Sequence, residues 1–203
     1  MLELFTSRSS PAKRCTIMLA ESGLPYTARM QTRQKKAKAF LKANPQGRMP
    51  TLVDHNGADG KPVILTQSMA IIFYVAEKSG IGLPTTPRQR ARCWQWLMIF
   101  ATDLYPAFTS SYYMRGMKPE PQTIAGDYWE TRMLGYVREL EEHLATNTYL
   151  AGDAYTAADM CAYPTIDLAL ADFKSMRGFK AIRRWHKLVG KRPAVRTGMA
   201  QSS

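Results

Sequence analysis

The chain has 203 residues, of which 45% are hydrophobic and 22% are charged, and its formal net charge at pH 7 is +12. This size allows a buried core in one domain or in two small ones. The apolar stretches are too short to cross a bilayer and the N-terminus lacks the pattern of a signal peptide, so we expect a cytoplasmic protein without a membrane partner. The basic surplus is concentrated in residues 29–42 and 174–196. No zinc-finger or RNA-recognition motif accompanies it, and we therefore expect no nucleic-acid partner.

The first thirty residues predict a strand, a helix and a second strand. Leu2–Phe5 alternates as a half-buried strand does. Pro11 suits the first position of a helix, which we expect to run through Glu21 and to end at Gly23. Residues 25–30 have the pattern of a second strand. A strand–helix–strand connection of this kind should be parallel and right-handed.

The next segment is basic and has few apolar residues, so we expect only a short helix near Phe40 and Leu41. The turn signal Asn44-Pro45-Gln46-Gly47 then leads to Pro50. A strand tolerates proline mainly at its first residue, and we expect a strand to begin there. An X-Pro bond takes the cis form at low cost, so we predict a cis Met49-Pro50 bond. That geometry would present the backbone N–H and C=O of Met49 to an extended peptide.

Two Asx-Gly pairs within residues 54–61 predict a hairpin turn, after which Val63–Leu65 should return antiparallel. Thr66-Gln67-Ser68 opens an apolar helix that we expect to stop at Gly80. Ser68 lies where the free N–H groups of a helix start can receive a carboxylate. Together these elements predict a thioredoxin-like α/β domain over residues 1–80.

Residues 81–87 are rich in glycine and proline and form the clearest linker. No strand signal follows, so we predict an all-helical domain over residues 88–203. Helices are expected over 88–101, 122–144 and 179–189, and the aromatic stretch 108–117 is expected to be irregular.

Thr156-Ala157-Ala158-Asp159 has the pattern of a capping box, and we interpret Asp159 as a folding device. Pro164 should kink the helix that follows. The cysteines, Cys15, Cys93 and Cys161, form neither a CxxC pair nor a metal-ligand pattern, and we expect buried, reduced thiols. The histidines are equally isolated, so the sequence predicts no metal site.

Two motifs resemble the glutathione-binding half of the glutathione transferases. NPQGRMPTLVD (44–54) and LTQSMAIIFYVAEKSG (65–80) follow the family pattern NP-x-G-x-(V/I)-P-x-L and (E/Q)-S-x-A-I. YLAGDAYTAADM (149–160) and RRWHKLVGKRPAV (183–195) resemble the C-terminal signatures, so the resemblance covers nearly the whole chain. It implies the glutathione transferase fold, a homodimer, and glutathione as a co-substrate without any further cofactor.

The resemblance assigns the catalytic role to Ser9, which follows the first strand as in the serine-type phi, theta and zeta classes. The family's serine donates a hydrogen bond to the glutathione sulfur and favours the thiolate, which is the nucleophile. Ser10 and Ser7 are alternative donors. Ordinary N-capping is the competing interpretation for Ser9 and, more strongly, for Ser10.

The resemblance also assigns the other glutathione contacts. Gln67 and Ser68 match the pair that holds the γ-glutamyl carboxylate. Met49, held by Pro50, supplies the backbone pairing to the cysteinyl unit.

Charged side chains complete the expected glutathione contacts. Lys35 and Lys36 fall where the phi class contacts the glycyl carboxylate, and Arg48 is an alternative cation for that role. Asp103 resembles an acidic position that helps to bind the γ-glutamyl amine from the neighbouring subunit.

Aromatic residues after the linker offer a wall for an electrophile pocket, although such a stripe at helical spacing fits a helical core equally well. The candidates are Trp96, Phe100, Tyr105, Phe108, Tyr112 and Tyr113.

Three function classes stay open. The leading one is transfer of glutathione to an electrophilic, largely apolar small molecule, as the family resemblance implies. The second is glutathione-dependent reduction of disulfides or peroxides on the same fold. The third is a binding protein without catalysis. Redox members of the family generally carry cysteine where Ser9 stands, which favours the first class.

Overall fold

The computed structural model describes residues 1–32 and 34–201. The N-terminal part is a four-stranded sheet with helices on both faces, and the prediction of a thioredoxin-like α/β domain is confirmed. Its elements are β1 (Leu2–Thr6), α1 (Ser10–Ser22), β2 (Tyr26–Met30), α2 (Lys38–Ala43), β3 (Thr51–Asp54), β4 (Val63–Thr66) and α3 (Ser68–Ser79).

The sheet has the strand order β2-β1-β3-β4. Strand β1 pairs parallel with β2, as the strand–helix–strand pattern predicts, and antiparallel with β3. Strands β3 and β4 form the predicted hairpin. Strand β3 begins at Thr51 rather than at Pro50, and the Met49-Pro50 bond is cis as predicted.

Alternating side chains of the strands divide the core between the two faces of the sheet. Leu2, Leu4 and Leu52 pack on the face covered by α1 and α3, within the main hydrophobic cluster. Phe5 and its neighbours point to the opposite face, where they meet Phe40 from α2. The short α2 is thus held by one fully buried aromatic side chain.

The remaining chain is helical, and the prediction of an all-helical second part is confirmed. Its elements are α4 (Pro87–Met98), a π-helical turn (Ile99–Leu104), α5 (Tyr105–Gly116), α6 (Thr123–Thr146), α7 (Ala157–Asp172), a 3₁₀ turn (Lys174–Gly178), α8 (Lys180–Gly190) and α9 (Pro193–Ala200). No helix in the described ranges is both long and apolar enough to cross a membrane.

Helix α1 joins the two parts of the molecule because it packs against α3 on one side and against α7 and α9 on the other. Its contact with α9 is close: a Cβ placed on Gly198 would lie 2.6 Å from the backbone of Ile17. The Thr16 hydroxyl donates a 2.7 Å hydrogen bond to the Gly198 carbonyl. A side chain at position 198 would therefore push the two helices apart.

Asp159 is fully buried and completes a capping box with Thr156, as predicted. Its carboxylate also accepts hydrogen bonds from the Leu150 backbone N–H at 3.0 Å and from the Trp185 indole at 2.8 Å. The carboxylate thus ties the start of α7 to the preceding loop and to α8. Burial raises the pKa of this carboxyl group.

One expectation for the helical part is wrong. The stretch 108–117 is not irregular but lies mostly in α5, whose inward positions bury Ala107, Phe108 and Ser111. Helix α9 follows α8 and is not among the predicted helices, because residues 193–200 carry too little apolar periodicity. Pro164 lies within α7.

Candidate functional site

A cleft of about 290 Å³ lies where the sheet domain meets the helical part. Elements from both parts contribute, namely the start of α1, the loop before β3, the junction of β4 and α3, and the π-helical turn with the first residue of α5. The lining residues are Pro11, Arg14, Asn44, Gln46, Arg48, Met49, Pro50, Thr66, Gln67, Ser68, Met69, Ala101 and Tyr105.

The loop before β3 is held in place by hydrogen bonds from a buried asparagine. The Asn44 side-chain amide donates to the Arg48 carbonyl at 2.9 Å and to the Thr51 hydroxyl at 3.0 Å. Thr51 in turn donates to the same carbonyl at 2.9 Å. These bonds fix Arg48 and Met49 at the mouth of the cleft. The Asn44-Pro45-Gln46-Gly47 sequence therefore forms a turn and also supports the loop through the Asn44 side chain.

The start of α3 opens into the cleft. Gln67 has a φ of +71°, a region that residues other than glycine rarely adopt. Such outliers cluster at ligand-binding sites, where the surrounding structure holds them in place. Neither Gln67 nor a neighbour caps the helix through a side chain. The first N–H groups of α3 and the Ser68 hydroxyl are therefore placed to receive an anion.

Ser9 lies at the N-cap position of α1 but makes no side-chain cap bond. Its exposed hydroxyl lies 3.0 Å from the Ser7 hydroxyl. Both serines line a second cavity of about 460 Å³, which shares Met49 with the cleft. Ser10 is buried and donates to the Pro164 carbonyl at 3.3 Å. Ser7 and Ser9 thus line the second cavity, whereas the Ser10 hydroxyl is bonded to α7.

Arg14 is a feature of the cleft that sequence reasoning missed. Although it lines the cleft, its side chain is only 2% exposed. One guanidinium nitrogen donates to the Thr165 hydroxyl at 2.8 Å, and the group lies 4.6 Å above the ring centre of Tyr105. The available signal was the position of this arginine directly before the largely apolar run from Cys15 to Leu19.

The predicted aromatic wall is only partly assembled. Trp96, Phe100 and Phe108 belong to the buried core and line neither the cleft nor the Ser9 cavity. The core interpretation left open for these three is therefore the better one, since the inward face of each helix buries its largest side chains. Tyr105 does line the cleft.

Two other aromatic candidates, Tyr112 and Tyr113, are more than half exposed. They line a third cavity of about 840 Å³ together with Arg115 and Phe173. None of its lining residues is shared with the cleft or with the Ser9 cavity.

Of the charged candidates, as of the aromatic ones, only some lie at the cleft. Arg48 is exposed at the cleft, and the Lys36 side chain lies against Gly47 in the adjoining loop. Lys35 is exposed beside Thr32. Asp103 lies in the π-helical turn, where it accepts hydrogen bonds from Thr102 and Tyr136, and it does not line the cleft.

The cysteines are all buried, as expected, and burial raises the pKa of each thiol. A buried, protonated thiol is a poor nucleophile. Across the described ranges, no group of three or more histidine, cysteine or acidic residues is arranged to hold a metal ion.

Comparisons with known proteins agree with this geometry. Residues 4–84 match the family model for the N-terminal domain of glutathione S-transferases, and residues 98–193 match the model for their C-terminal domain. The disulfide-bond oxidoreductase YfcG of Escherichia coli is 30% identical over 206 residues, which cover 98% of this chain and 94% of YfcG.

Solved structures give the same result. A glutathione transferase family member from Pseudomonas fluorescens, with two glutathione molecules bound, superposes with a TM-score of 0.89 at 25% identity and covers 98% of this chain and 92% of its own. A glutathione transferase from Pseudomonas putida has one glutathione disulfide bound per subunit. It superposes with a TM-score of 0.87 at 27% identity, covering 98% of this chain and 90% of its own.

Proposed function

Because this chain belongs to the glutathione S-transferase family, we propose that it binds glutathione in the cleft and uses the bound thiolate to reduce disulfides. The observation that carries the proposal is that the charged side chains described at the site are all cationic. Arg14 and Arg48 line the cleft, Arg8 lines the cavity beside Ser9, and no acidic side chain lines either cavity within the described residues. An anionic acceptor, such as a glutathione mixed disulfide, fits this surface better than an apolar electrophile.

Glutathione itself would be held by groups at both ends of the cleft. Ser68 and the open start of α3 receive the γ-glutamyl carboxylate, while the backbone of Met49 pairs with the cysteinyl unit. Arg48 lies on the loop side of the cleft and is suited to the glycyl carboxylate. The exposed Lys35 and the half-buried Lys36 add positive charge near that loop.

The proposed reaction is two successive thiol–disulfide exchanges. The bound glutathione thiolate attacks one sulfur of the acceptor disulfide, the S–S bond breaks, and the departing thiolate takes up a proton. The thiolate of a second glutathione then attacks the mixed disulfide and releases glutathione disulfide and the second thiol. In balance, one disulfide and two glutathione molecules give two thiols and one glutathione disulfide. A mixed disulfide of glutathione needs only the second exchange, which converts it and one glutathione into one thiol and one glutathione disulfide. A low thiol pKa favours the attack at neutral pH.

Ser9 supplies the hydrogen bond that stabilises the attacking thiolate in this scheme. Bringing a thiol with a pKa near 9 to half ionisation at pH 7 requires about 2.7 kcal/mol. A hydrogen bond to a charged acceptor contributes about 1.5–3 kcal/mol, and the start of α1 adds about 0.3–1 kcal/mol. The two contributions together are of the required size. The protein's own cysteines take no part because they are buried.

The disulfide proposal also draws on the relatives. YfcG is named a disulfide-bond oxidoreductase, and the Pseudomonas putida neighbour holds glutathione disulfide. By the same family membership we propose a homodimer, with Asp103 available to a glutathione amine of the partner subunit. A cytoplasmic location is proposed because the glutathione pool keeps thiols reduced there.

Transfer of glutathione to an apolar electrophile is the second candidate. The cavity lined by Tyr112, Tyr113 and Phe173 favours it, since aromatic walls suit an apolar acceptor. This cavity shares no lining residue with the Ser9 cavity, which makes it the weaker candidate.

Parallel assays with one protein preparation test the proposal. Reduction of bis(2-hydroxyethyl) disulfide and of a cysteine–glutathione mixed disulfide is followed by coupling glutathione disulfide formation to NADPH oxidation through glutathione reductase. Conjugation of 1-chloro-2,4-dinitrobenzene is measured beside it. We expect clear disulfide turnover, faster with the anionic mixed disulfide, and weak conjugation. Efficient conjugation without disulfide turnover would reverse the order of the two candidates.

A further inference from the structure

The guanidinium of Arg14 is a buried positive charge without a negative partner. The residue is 2% exposed, and no Asp or Glu carboxylate within residues 1–32 and 34–201 forms an ion pair with it. Among the described residues its buried Nε has no hydrogen-bond partner, and the side-chain bond described for its guanidinium goes to the neutral Thr165 hydroxyl. Burying an unpaired charge is costly, and protein interiors normally pair it. A site that keeps such a charge beside a cleft is suited to an anion.

The neighbours of Arg14 do not supply that anion. Tyr105 offers the face of its ring, and burial raises the pKa of its hydroxyl, so it stays neutral. Burial likewise raises the pKa of the Cys15 and Cys161 thiols near Arg14. Within the two cavities, the other charged lining residues are Arg8 and Arg48, which are also cations. The negative charge must therefore arrive with the ligand.

We propose that Arg14 is the counter-charge of the glutathione thiolate and so a second catalytic residue beside Ser9. This inference deepens the proposed function and rests on it. Ser9, the N-cap residue of α1, precedes Arg14 by five residues, or about 7.5 Å of helix rise, and the cavity lined by Ser9 meets the cleft lined by Arg14 at Met49. The start of α3 is available for one carboxylate and the exposed Arg48 for the other. The group left for the buried cation is the sulfur.

An opposite charge within about 4–6 Å lowers the pKa of an ionisable group by about 1–3 units. The thiolate is bound more tightly than the thiol when Arg14 is present, and the pKa of bound glutathione falls accordingly. Removing the positive charge should raise that pKa by about 1–2 units, because solvent in the cleft screens part of the interaction. Starting from half ionisation at pH 7, this corresponds to about a fivefold to fiftyfold loss of thiolate.

The experiment compares Arg14→Gln, Arg14→Met and Arg14→Lys with the parent protein. Gln keeps a donor for Thr165, Met keeps apolar volume, and Lys keeps the charge. Arg183→Met removes one exposed charge from α8 and serves as the matched control. The pKa of the bound thiol is measured from thiolate ultraviolet absorbance against pH, without any acceptor. Calorimetry then gives the affinities for glutathione and for S-methylglutathione, which has both carboxylates but no ionisable thiol. Thermal unfolding reports folding.

We expect a rise of about 1–2 units in the pKa for Arg14→Gln and Arg14→Met, a smaller rise for Arg14→Lys, and no change for Arg183→Met. Affinity for S-methylglutathione should stay within about threefold, since the carboxylate contacts are intact. An unchanged thiol pKa in both charge-removing variants would overturn the proposal. An equal loss of affinity for both ligands would overturn it as well, because Arg14 would then bind a carboxylate. Both readouts hold even if the parent protein reduces no disulfide, so failure of the two proposals is distinguishable.

Discussion

The role of Ser9 can be tested by replacing it with alanine and measuring the ionisation of bound glutathione. In the structure its hydroxyl is exposed at the start of α1 and makes no capping bond, so its loss removes no helix cap. If it donates to the thiolate, the lost bond is worth about 1.5–3 kcal/mol, which equals a rise of about 1–2 units in the thiol pKa.

The rate of disulfide reduction at pH 7 should therefore fall about fivefold to fiftyfold in Ser9→Ala, if the parent's bound thiol is half ionised at that pH. The sign of the pH effect follows from the same shift. A thiol with a raised pKa reaches full ionisation at higher pH, so the variant should regain much of its activity as the pH rises through the new pKa. The assay is the coupled disulfide reduction measured across pH, with thiolate absorbance as a direct second readout.

Ser7→Ala is the matched control. The Ser7 hydroxyl lies 3.0 Å from that of Ser9 and either one can act as the donor in this pair. We expect Ser7→Ala to shift the thiol pKa by less than about half of the Ser9→Ala effect, as it removes only a supporting hydrogen bond. An unchanged pH profile in Ser9→Ala would refute the serine-donor mechanism. The full shift in Ser7→Ala instead would transfer the donor role to Ser7.

Three further predictions concern binding and stability. Ser68→Ala should weaken glutathione binding about tenfold or more, measured by calorimetry, while turnover at saturation stays similar; a collapse of turnover with unchanged affinity would contradict the carboxylate role. Asp159→Ala leaves the buried donors of Leu150 and Trp185 without an acceptor. It should lower the free energy of unfolding, measured by urea titration, by about 3 kcal/mol or more. A loss of less than about 1 kcal/mol would mean that the capping box is dispensable. Gly198→Ala forces α9 from α1 and should cost about 1–3 kcal/mol by the same measurement; a neutral variant would mean that α9 docks loosely.

The α/β half of the fold could be predicted because its signals are local. Proline before an apolar run, Asx-Gly pairs and an apolar helix after Ser68 each restrict the backbone within a few residues. The helical half was harder to predict. The stretch 108–117 was expected to be irregular because Tyr112 and Tyr113 are exposed in α5 while Ser111 is buried, so its apolar residues do not mark the inward face. Helix α9 owes its place to contacts with α1 that lie far apart in the chain.

The residues of the candidate site, too, could be predicted only in part. Motif resemblance brought Met49, Gln67 and Ser68 together as candidates, and the structure places all three in one cleft. Arg14 was not predicted because its role depends on burial against Thr165 and Tyr105, which belong to the helical part of the molecule. The sequence of α1 does not show which of its charged side chains is buried.

The central claim, that bound glutathione supplies the nucleophile, is tested most directly by the intact mass of the protein during turnover. Samples reducing a glutathione mixed disulfide are quenched with acid at intervals, and both the protein mass and the released glutathione disulfide are measured. Because Cys15, Cys93 and Cys161 are buried, we predict unmodified protein at every time point while glutathione disulfide accumulates. A glutathione adduct on the protein that forms and decays at the rate of turnover would contradict the account, since a protein cysteine would then carry the reaction.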